Sequence, residues 1–367
     1  MKKAGVITHY DVHNHGAHLQ LYALVQCLKA QGYDAKALRF KKNYDFLGGS
    51  EAEKKYNISI RSIPTYIKYL FSKGISRTLF NIKKRKTLEI FRSREDLVGE
   101  YYSEAKDLDI VVIGSDEIFS VEAGPNPWYY GIGISCKNQI SYAASFGPTT
   151  LHSIEDHNVG GLIEAGLRNL KSISVRDGNS AMIVEHYIGE KPEVVCDPVL
   201  LYGFPEQLGL ESFRAFQKQH TEKYCIVYSY DSNMNDEQTV KAIKGFARKR
   251  GLKIYSIGYY HKWCDKSINL DPLDVFKWFL GAEIVFTDTF HGTVISLETE
   301  AQFVVLIREN GNKLAFLLEQ YGVTERRVNV FSEIENVVET PIDYKIVGQR
   351  IIDIREESIQ YLKKAVH

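Results

Sequence analysis

The chain has 367 residues, with 46 Lys and Arg against 46 Asp and Glu and 44% hydrophobic residues, and at roughly 100 to 200 residues per domain it is long enough for two domains. A zero formal net charge removes the broad positive field that nonspecific nucleic-acid binding needs, and the apolar content is too high for a disordered chain. Five cysteines, at 27, 136, 196, 225 and 264, form no Cys-x-x-Cys pair, which supports neither a disulfide framework nor a zinc knuckle and fits a reducing cytoplasm.

Met1-Lys2-Lys3 could begin a signal peptide, but the apolar run from Ala4 to Thr8 breaks at once at His9, Asp11 and His13. No stretch approaches the roughly 18 consecutive apolar residues of a membrane span, so a soluble or at most peripheral protein is expected. Ala4 to Thr8 reads as a buried strand, His9 to Gly16 as a polar loop, and about Ala17 to Ala30 as a helix that stops at Gly32. Asp34 to Phe40 alternates as a second strand, which completes one β-α-β unit. Residues 41 to 105 are less regular. From Tyr66 to Arg94 they are basic and helical, with Lys68, Lys73, Arg77, Lys83, Lys84, Arg85, Lys86, Arg92 and Arg94 among Tyr, Leu, Phe and Ile. This stretch either touches an anionic membrane surface or is a solvated face opposite a packed stripe.

Asp109 to Ile113 is the clearest buried strand, and it runs into Gly114-Ser115-Asp116, small and polar residues that suit a ligand-facing loop at a strand's carboxyl end. Residues 140–147, 172–177 and 194–198 repeat the arrangement, with helices from Leu162 to Leu170 and Gly178 to Tyr187 between them. After a connector from Leu201 to Glu222, alternation restarts at Tyr224 to Tyr228. The predicted elements are then helix Asn235 to Arg250, strand Lys253 to Ile257, helix Pro272 to Leu280, strand Ile284 to Thr287, helix Thr293 to Glu300, strand Phe303 to Leu306, helix Lys313 to Tyr321 and a last helix from Tyr344 to Ala365. Both halves read as doubly wound α/β, with a first domain over residues 1–200, a second over 201–343, and a terminal helical segment, 344–367.

Phe286 to Thr293 is the sharpest constellation, a strand end turning into a helix with His291 at the tip and Gly292 beside it. Backbone N–H groups at such a start favour an anion, and an imidazole titrates near neutral pH. Capping of the turn, or a hydrogen bond to Asp288, would explain His291 equally. Arg176 offers a planar charged fork for a carboxylate or phosphate, or a salt bridge with Asp177. His9, His13, His15 and His18 raise a metal site, although their spacing matches no helical two-His pair, and Asn14, His15 and Gly16 could instead hold an oxyanion at the helix start. Gly-x-Ser-x-Gly, Gly-x-Gly-x-x-Gly and the P-loop pattern are absent, which argues against a serine hydrolase, a standard dinucleotide site and a P-loop enzyme.

Taken in order, Asn14-x-Gly16-Ala17-x-Leu19-Gln20, Gly114-Ser115-Asp116, Ser141 to Gly147, Ser174-Val175-Arg176, Asp197-Pro198 and Thr287-Asp288-x-Phe290-His291-Gly292-Thr293 resemble the polysaccharide pyruvyl transferase family over roughly residues 4 to 330. The resemblance implies two Rossmann-like domains facing a cleft, similar to B-type glycosyltransferases, with the C-terminal helix crossing back to the first domain. It also implies a cytoplasmic transferase of exopolysaccharide biosynthesis that uses phosphoenolpyruvate as donor, a sugar or lipid-linked oligosaccharide as acceptor, and no cofactor or metal. By match to the family's motifs, His291 is the general acid/base, Arg176 the clamp, and the backbone at Gly292 and Thr293 the anion donors. Asn14, Gly16, Ser115 and Asp116 line the opposite wall, with Asp116 orienting or deprotonating an acceptor hydroxyl, and Ser145 and Asp288 complete the binding residues. Glu117-Ile118-Phe119 and Thr289 depart from the family pattern, and the first change puts an extra negative charge near the acceptor wall, so the acceptor does not carry over. Two other readings suit the same scaffold: a sugar-nucleotide glycosyltransferase, and a noncatalytic binder of a phosphorylated metabolite or glycan.

Overall fold

The structure, a computed structural model, describes residues 1–40, 74–122, 126–307 and 312–367. Residues 66–73 of the predicted basic stretch lie outside them. Strand β1 (Lys2–Ile7) is buried along its last four residues because it is paired on both sides, in parallel, with β2 (Tyr33–Arg39) and β4 (Ile110–Ile113). With β3 (Val98–Tyr101) and β5 (Gln139–Ser141) the first sheet runs β3-β2-β1-β4-β5, every pairing parallel. Single bridges from Ile140 to Ser172 and from Ala144 to Val175 continue it toward a short pair, β6 (Ser174–Val175) and β7 (Glu193–Val194). The strand expected over residues 140–147 is therefore shorter: Ala143 adopts a left-handed φ of 51°, and Ser141 and Ser174 exchange hydrogen bonds that take over the pairing.

The second sheet is also all parallel. It contains β8 (Tyr224–Tyr228), β9 (Lys253–Ile257), β10 (Lys266–Ile268), β11 (Ile284–Thr287), β12 (Phe303–Leu306) and β13 (Arg327–Val328), in the order β10-β9-β8-β11-β12-β13. Each sheet reverses its winding at a central strand, β1 in one and β8 in the other. In open α/β sheets ligands sit beyond the strands' carboxyl ends at such a reversal.

Helix α1 (His15–Ala30) begins two residues earlier than expected because the Asn14 side chain caps it, accepting from the Gly16 N–H. Leu19, Leu21, Leu24, Val25 and Leu28 are wholly buried, each contributing about 1.5–3 kcal/mol of gross hydrophobic stabilisation. Helix α2 (Ile75–Arg94) lies between β2 and β3 in sequence. The predicted helix Pro272 to Leu280 divides into a 3-10 turn, Pro272–Asp274, capped by Asp271, and a helix, Val275–Leu280. Helix α3 (Phe290–Glu298) starts three residues before its expected position, since the Thr289 side chain accepts from the Gly292 N–H. His291 thus sits in the first helical turn and not at a loop tip. Helix α4 is Asn312–Tyr321 and α5 is Tyr344–Val366.

Helix α5 joins the two halves. At its start Tyr344 Oη donates to the Ala301 carbonyl at 2.6 Å, while further along Tyr361 Oη donates to the Ser141 carbonyl at 3.0 Å and the Val366 carbonyl accepts from Tyr33 Oη at 2.5 Å. The result is the expected α/β architecture of two Rossmann-like sheets facing a cleft. Among the described residues no helix is long and apolar enough to cross a membrane.

Candidate functional site

The carboxyl ends of β1, β4, β8 and β11 converge on a cavity of about 400 Å³ lined by His9, His13 and Asn14, by Asp116 and Glu117, by Tyr230, and by Asp288 to His291, with Arg176 and Lys313 completing the wall. A larger groove of about 780 Å³ runs between helix Glu237–Arg250 and residues 329–335. There Lys249 and Arg250 are both paired with Glu335, and the groove lacks the buried charges that distinguish the smaller cavity.

Those charges centre on Arg176. Its Nη2 donates to Asp116 Oδ1 at 2.9 Å and its Nη1 to Asp197 Oδ2 at 3.0 Å, while the guanidinium stands 4.2 Å from the centre of the Phe290 ring. The Arg176 side chain is 1% exposed and that of Asp197 is wholly buried. Burial pushes the Asp116 carboxyl up, but Arg176, with His291 and His9, outweighs it and holds Asp116 well below the usual carboxylate range. Burial pulls Arg176 down, yet Asp116 and Asp197 carry it above its ordinary value. Asp116 has a left-handed φ of 71°, a costly conformation for a residue with a Cβ. It is held there by the hydrogen bond from the Ser145 N–H to its carbonyl.

His291 lies beside this group, its Nε2 4.0 Å from Asp197 Oδ2. Burial lowers its pKa against the opposing pull of Asp197 and Asp116, so the imidazole is neutral at neutral pH. Two buried nitrogens here have no hydrogen-bond partner, His291 Nε2 and Arg176 Nε. Buried polar atoms in folded proteins nearly always find partners, and these two belong to residues that line the cavity. The two halves also meet at this ring: a Cβ added at Gly16 would lie 2.2 Å from His291 Cγ. Only a glycine lets α1 come so close. Across the cleft Asn14 Nδ2 points to Tyr230 Oη at 3.4 Å, and Lys313 of α4 forms an ion pair with Glu117.

Of the residues singled out from sequence, His291, Asp116, Arg176, Asn14 and Asp288 come together on the cavity wall. Gly16 packs behind the imidazole. Ser115 turns inward, donating to Gln20 Oε1 at 2.6 Å, while Gln20 donates to Thr8 Oγ1 and Thr8 to the Ser115 carbonyl. That network fastens α1 to the ends of β1 and β4. Ser145 is wholly buried and donates to Asp177 Oδ2 at 2.7 Å. The backbone donors expected at Gly292 and Thr293 are already engaged, the first with Thr289 Oγ1 at 3.0 Å and the second with the Thr289 carbonyl at 3.2 Å. The cap that starts the helix consumes the amides that an anion would need.

The four histidines near the amino terminus diverge. His9 Nε2 lies 3.3 Å from the Glu117 carbonyl, His15 Nε2 2.9 Å from that of Leu270, and His18 Nδ1 2.8 Å from that of Asn14. Among the described residues no three His, Cys, Asp or Glu side chains are grouped to hold a metal ion. Burial lowers the pKa of His15 to about 4 and of His18 to about 3, against the hydrogen bonds that favour their charged forms. Both folded-state values lie below the unfolded value near about 6.5. Stability from keeping them neutral is therefore complete above that pH and is lost as pH falls toward 4, by on the order of a few kcal/mol. Denaturant midpoints measured across this window will fall with acidification, and His15→Gln will flatten the slope.

Asp197, Tyr230 and the Glu117–Lys313 pair are not among the residues singled out as site residues from sequence. Asp197 and Tyr230 lie just beyond the carboxyl ends of β7 and β8, the criterion that selects Ser115 and Asp288. Nothing in the sequence signals that Lys313 reaches Glu117.

The sequence matches the family model described as polysaccharide pyruvyl transferase over residues 14–310. No curated protein matches it. Among solved structures, the UDP-GlcNAc 2-epimerase of Methanocaldococcus jannaschii, in complex with UDP-GlcNAc and UDP, is similar with a TM-score of 0.51 at 12% identity, over 96% of this chain and 99% of that one. A putative UDP-N-acetylglucosamine 2-epimerase from Listeria monocytogenes gives 0.51 at 12% identity, over 99% and 91%. The UDP-GlcNAc 2-epimerase of Neisseria meningitidis, bound to UDP-GlcNAc, gives 0.50 at 11%, over 92% and 90%. At these identities the likeness is one of fold.

Proposed function

The chain belongs to the polysaccharide pyruvyl transferase family and is a transferase, and we propose that it moves the pyruvate unit of phosphoenolpyruvate onto a sugar of a cell-surface polysaccharide or of its lipid-linked precursor, forming a ketal and releasing phosphate. The observation that carries this reading is the buried, unpartnered Nε2 of His291 beside the Arg176–Asp197 pair on a cavity wall.

The reaction needs a proton for the enol carbon, a base for two hydroxyl protons, and cations for two anionic groups. His291 is neutral in the free site because burial outweighs Asp197 and Asp116. An arriving donor with a carboxylate and a phosphate supplies the negative charge that favours the imidazolium, so substrate binding itself arms the acid. The proton passes to the methylene carbon, C2 becomes oxocarbenium-like, and one sugar hydroxyl adds there. The bond from C2 to the phosphate oxygen then breaks, and the second hydroxyl closes the ketal. Asp116, held anionic by Arg176, is too weak a base to take a hydroxyl proton outright; it orients the acceptor, while one hydroxyl proton leaves on the departing phosphate as hydrogenphosphate and the other returns to His291 Nε2, replacing the proton given to the methylene carbon. Lys313 and Arg176 Nε face the donor's anionic groups, with Glu117 competing for Lys313.

Thermal melting separates this reading from its rivals. Phosphoenolpyruvate at about 100 times its dissociation constant will stabilise the folded chain by about 2.7 kcal/mol, and UDP-GlcNAc will not. Stabilisation by the nucleotide sugar alone would instead favour a glycosyltransferase. Saturable phosphoenolpyruvate binding without phosphate release, across a panel of glycan acceptors, would favour a noncatalytic binder.

A further inference from the structure

We infer that the outer face of α2 is a docking surface for a lipid bilayer with anionic headgroups. The helix has two apolar faces. On one, Lys84, Leu88 and Phe91 are buried against the protein. Arg77 and Asn81 bond Asp231, Thr87 bonds Asn269 and Arg94 bonds Asp271, so second-domain partners fix the helix's rotation. The opposite face exposes Ile75, Leu79, Ile82 and Ile90 at 69, 54, 60 and 53%. At 100° per residue these four fall within about 80° of arc. Lys86 lies in the middle of that arc and Lys83 at its edge.

A helix whose outer face meets only water is polar there. Four aliphatic side chains with Lys86 among them and Lys83 at one edge match instead the boundary between headgroups and acyl chains, where the aliphatics enter and the lysine stems extend back to the phosphates. Of the helix's seven Lys and Arg, Arg77, Arg85, Arg92 and Arg94 are paired with carboxylates and Lys84 is buried, which leaves Lys83 and Lys86 as the exposed lysines of the outer face. That charge complements an anionic surface and would repel a second copy of the same helix. Asp231 and Tyr260, which α2 touches, adjoin the cavity-lining Tyr230 and Tyr259, so docking here brings the cleft next to a bilayer. The inference does not depend on the reaction proposed above.

The test is sedimentation of the full chain with vesicles of phosphatidylcholine alone and of phosphatidylcholine mixed with phosphatidylglycerol. The chain will sediment with the anionic vesicles and be released as salt is raised. At about fivefold per lysine near a charged surface, Lys83→Ala with Lys86→Ala will lower partitioning by at least tenfold, and Ile82→Glu with Ile90→Glu will do so too. Melting temperatures will hold, since all four positions lie on the outer face. Absence of binding to anionic vesicles, partitioning unchanged in both double variants, or a dimer in light scattering that Ile82→Glu with Ile90→Glu dissolves would each overturn it.

Discussion

His291→Ala will lower phosphate release from phosphoenolpyruvate by about 100-fold or more, the scale of a lost general acid. Its Nε2 is buried and unpartnered, and the charged groups beside it offer no replacement. Asp116 is held anionic by Arg176, Glu117 is paired with Lys313, and Arg176 does not release its proton. His291→Gln fills the same space against Gly16 without titrating, and it will show the same loss of rate with little change in melting temperature. A rate in either variant within a few-fold of the parent would remove His291 from the chemistry.

Arg176→Ala will destabilise the fold by about 3–5 kcal/mol, the cost of leaving a buried ion pair with one partner missing. The loss falls on two carboxylates at once, since Asp116 and Asp197 share the guanidinium. Without it two buried carboxyls are left with no cation between them, the Asp116 pKa is no longer held down, and the folded state takes up a proton that the unfolded chain does not. The variant's deficit will therefore shrink as pH falls and the Asp116 carboxyl is neutralised. Arg176→Lys retains the charge but not the fork that reaches both partners, and will lie between. Urea unfolding of the three proteins at two pH values measures all of this, and a deficit below about 1 kcal/mol would mean that the triad is solvated and not the buried network described.

Strands β9, β11 and β12 coincide with their predicted ranges because the interior of a parallel sheet needs short apolar runs bounded by polar residues. Strands β3, β10 and β13 went unpredicted; each is at an edge of its sheet and has only four residues or fewer, too few to show a period. Helix starts shifted by two and three residues where Asn14 and Thr289 act as caps, a local signal present in the sequence but ambiguous among neighbouring polar residues.

The candidate site was legible where one rule applies, that polar residues at the carboxyl ends of parallel strands face a crevice. That rule finds Asn14, Asp116, Asp288 and His291. It does not say which way a serine turns: Ser115 and Ser145 carry the same hydroxyl whether they meet a ligand or close a network with Gln20 or Asp177. Nor does it reach the pairings that depend on how the two sheets are set against each other, such as Lys313 with Glu117 or Gly16 against His291. Those distances are decided by tertiary packing, and only the bare glycine hinted at them.

The most direct measurement is a crystal structure of the chain with phosphoenolpyruvate. The account predicts the enol ester in the cavity between the carboxyl ends of β1, β4, β8 and β11, its methylene carbon facing His291 Nε2 and its anionic groups toward Arg176 and Lys313. Density for the ester elsewhere, or an imidazole that turns from it, would contradict the account.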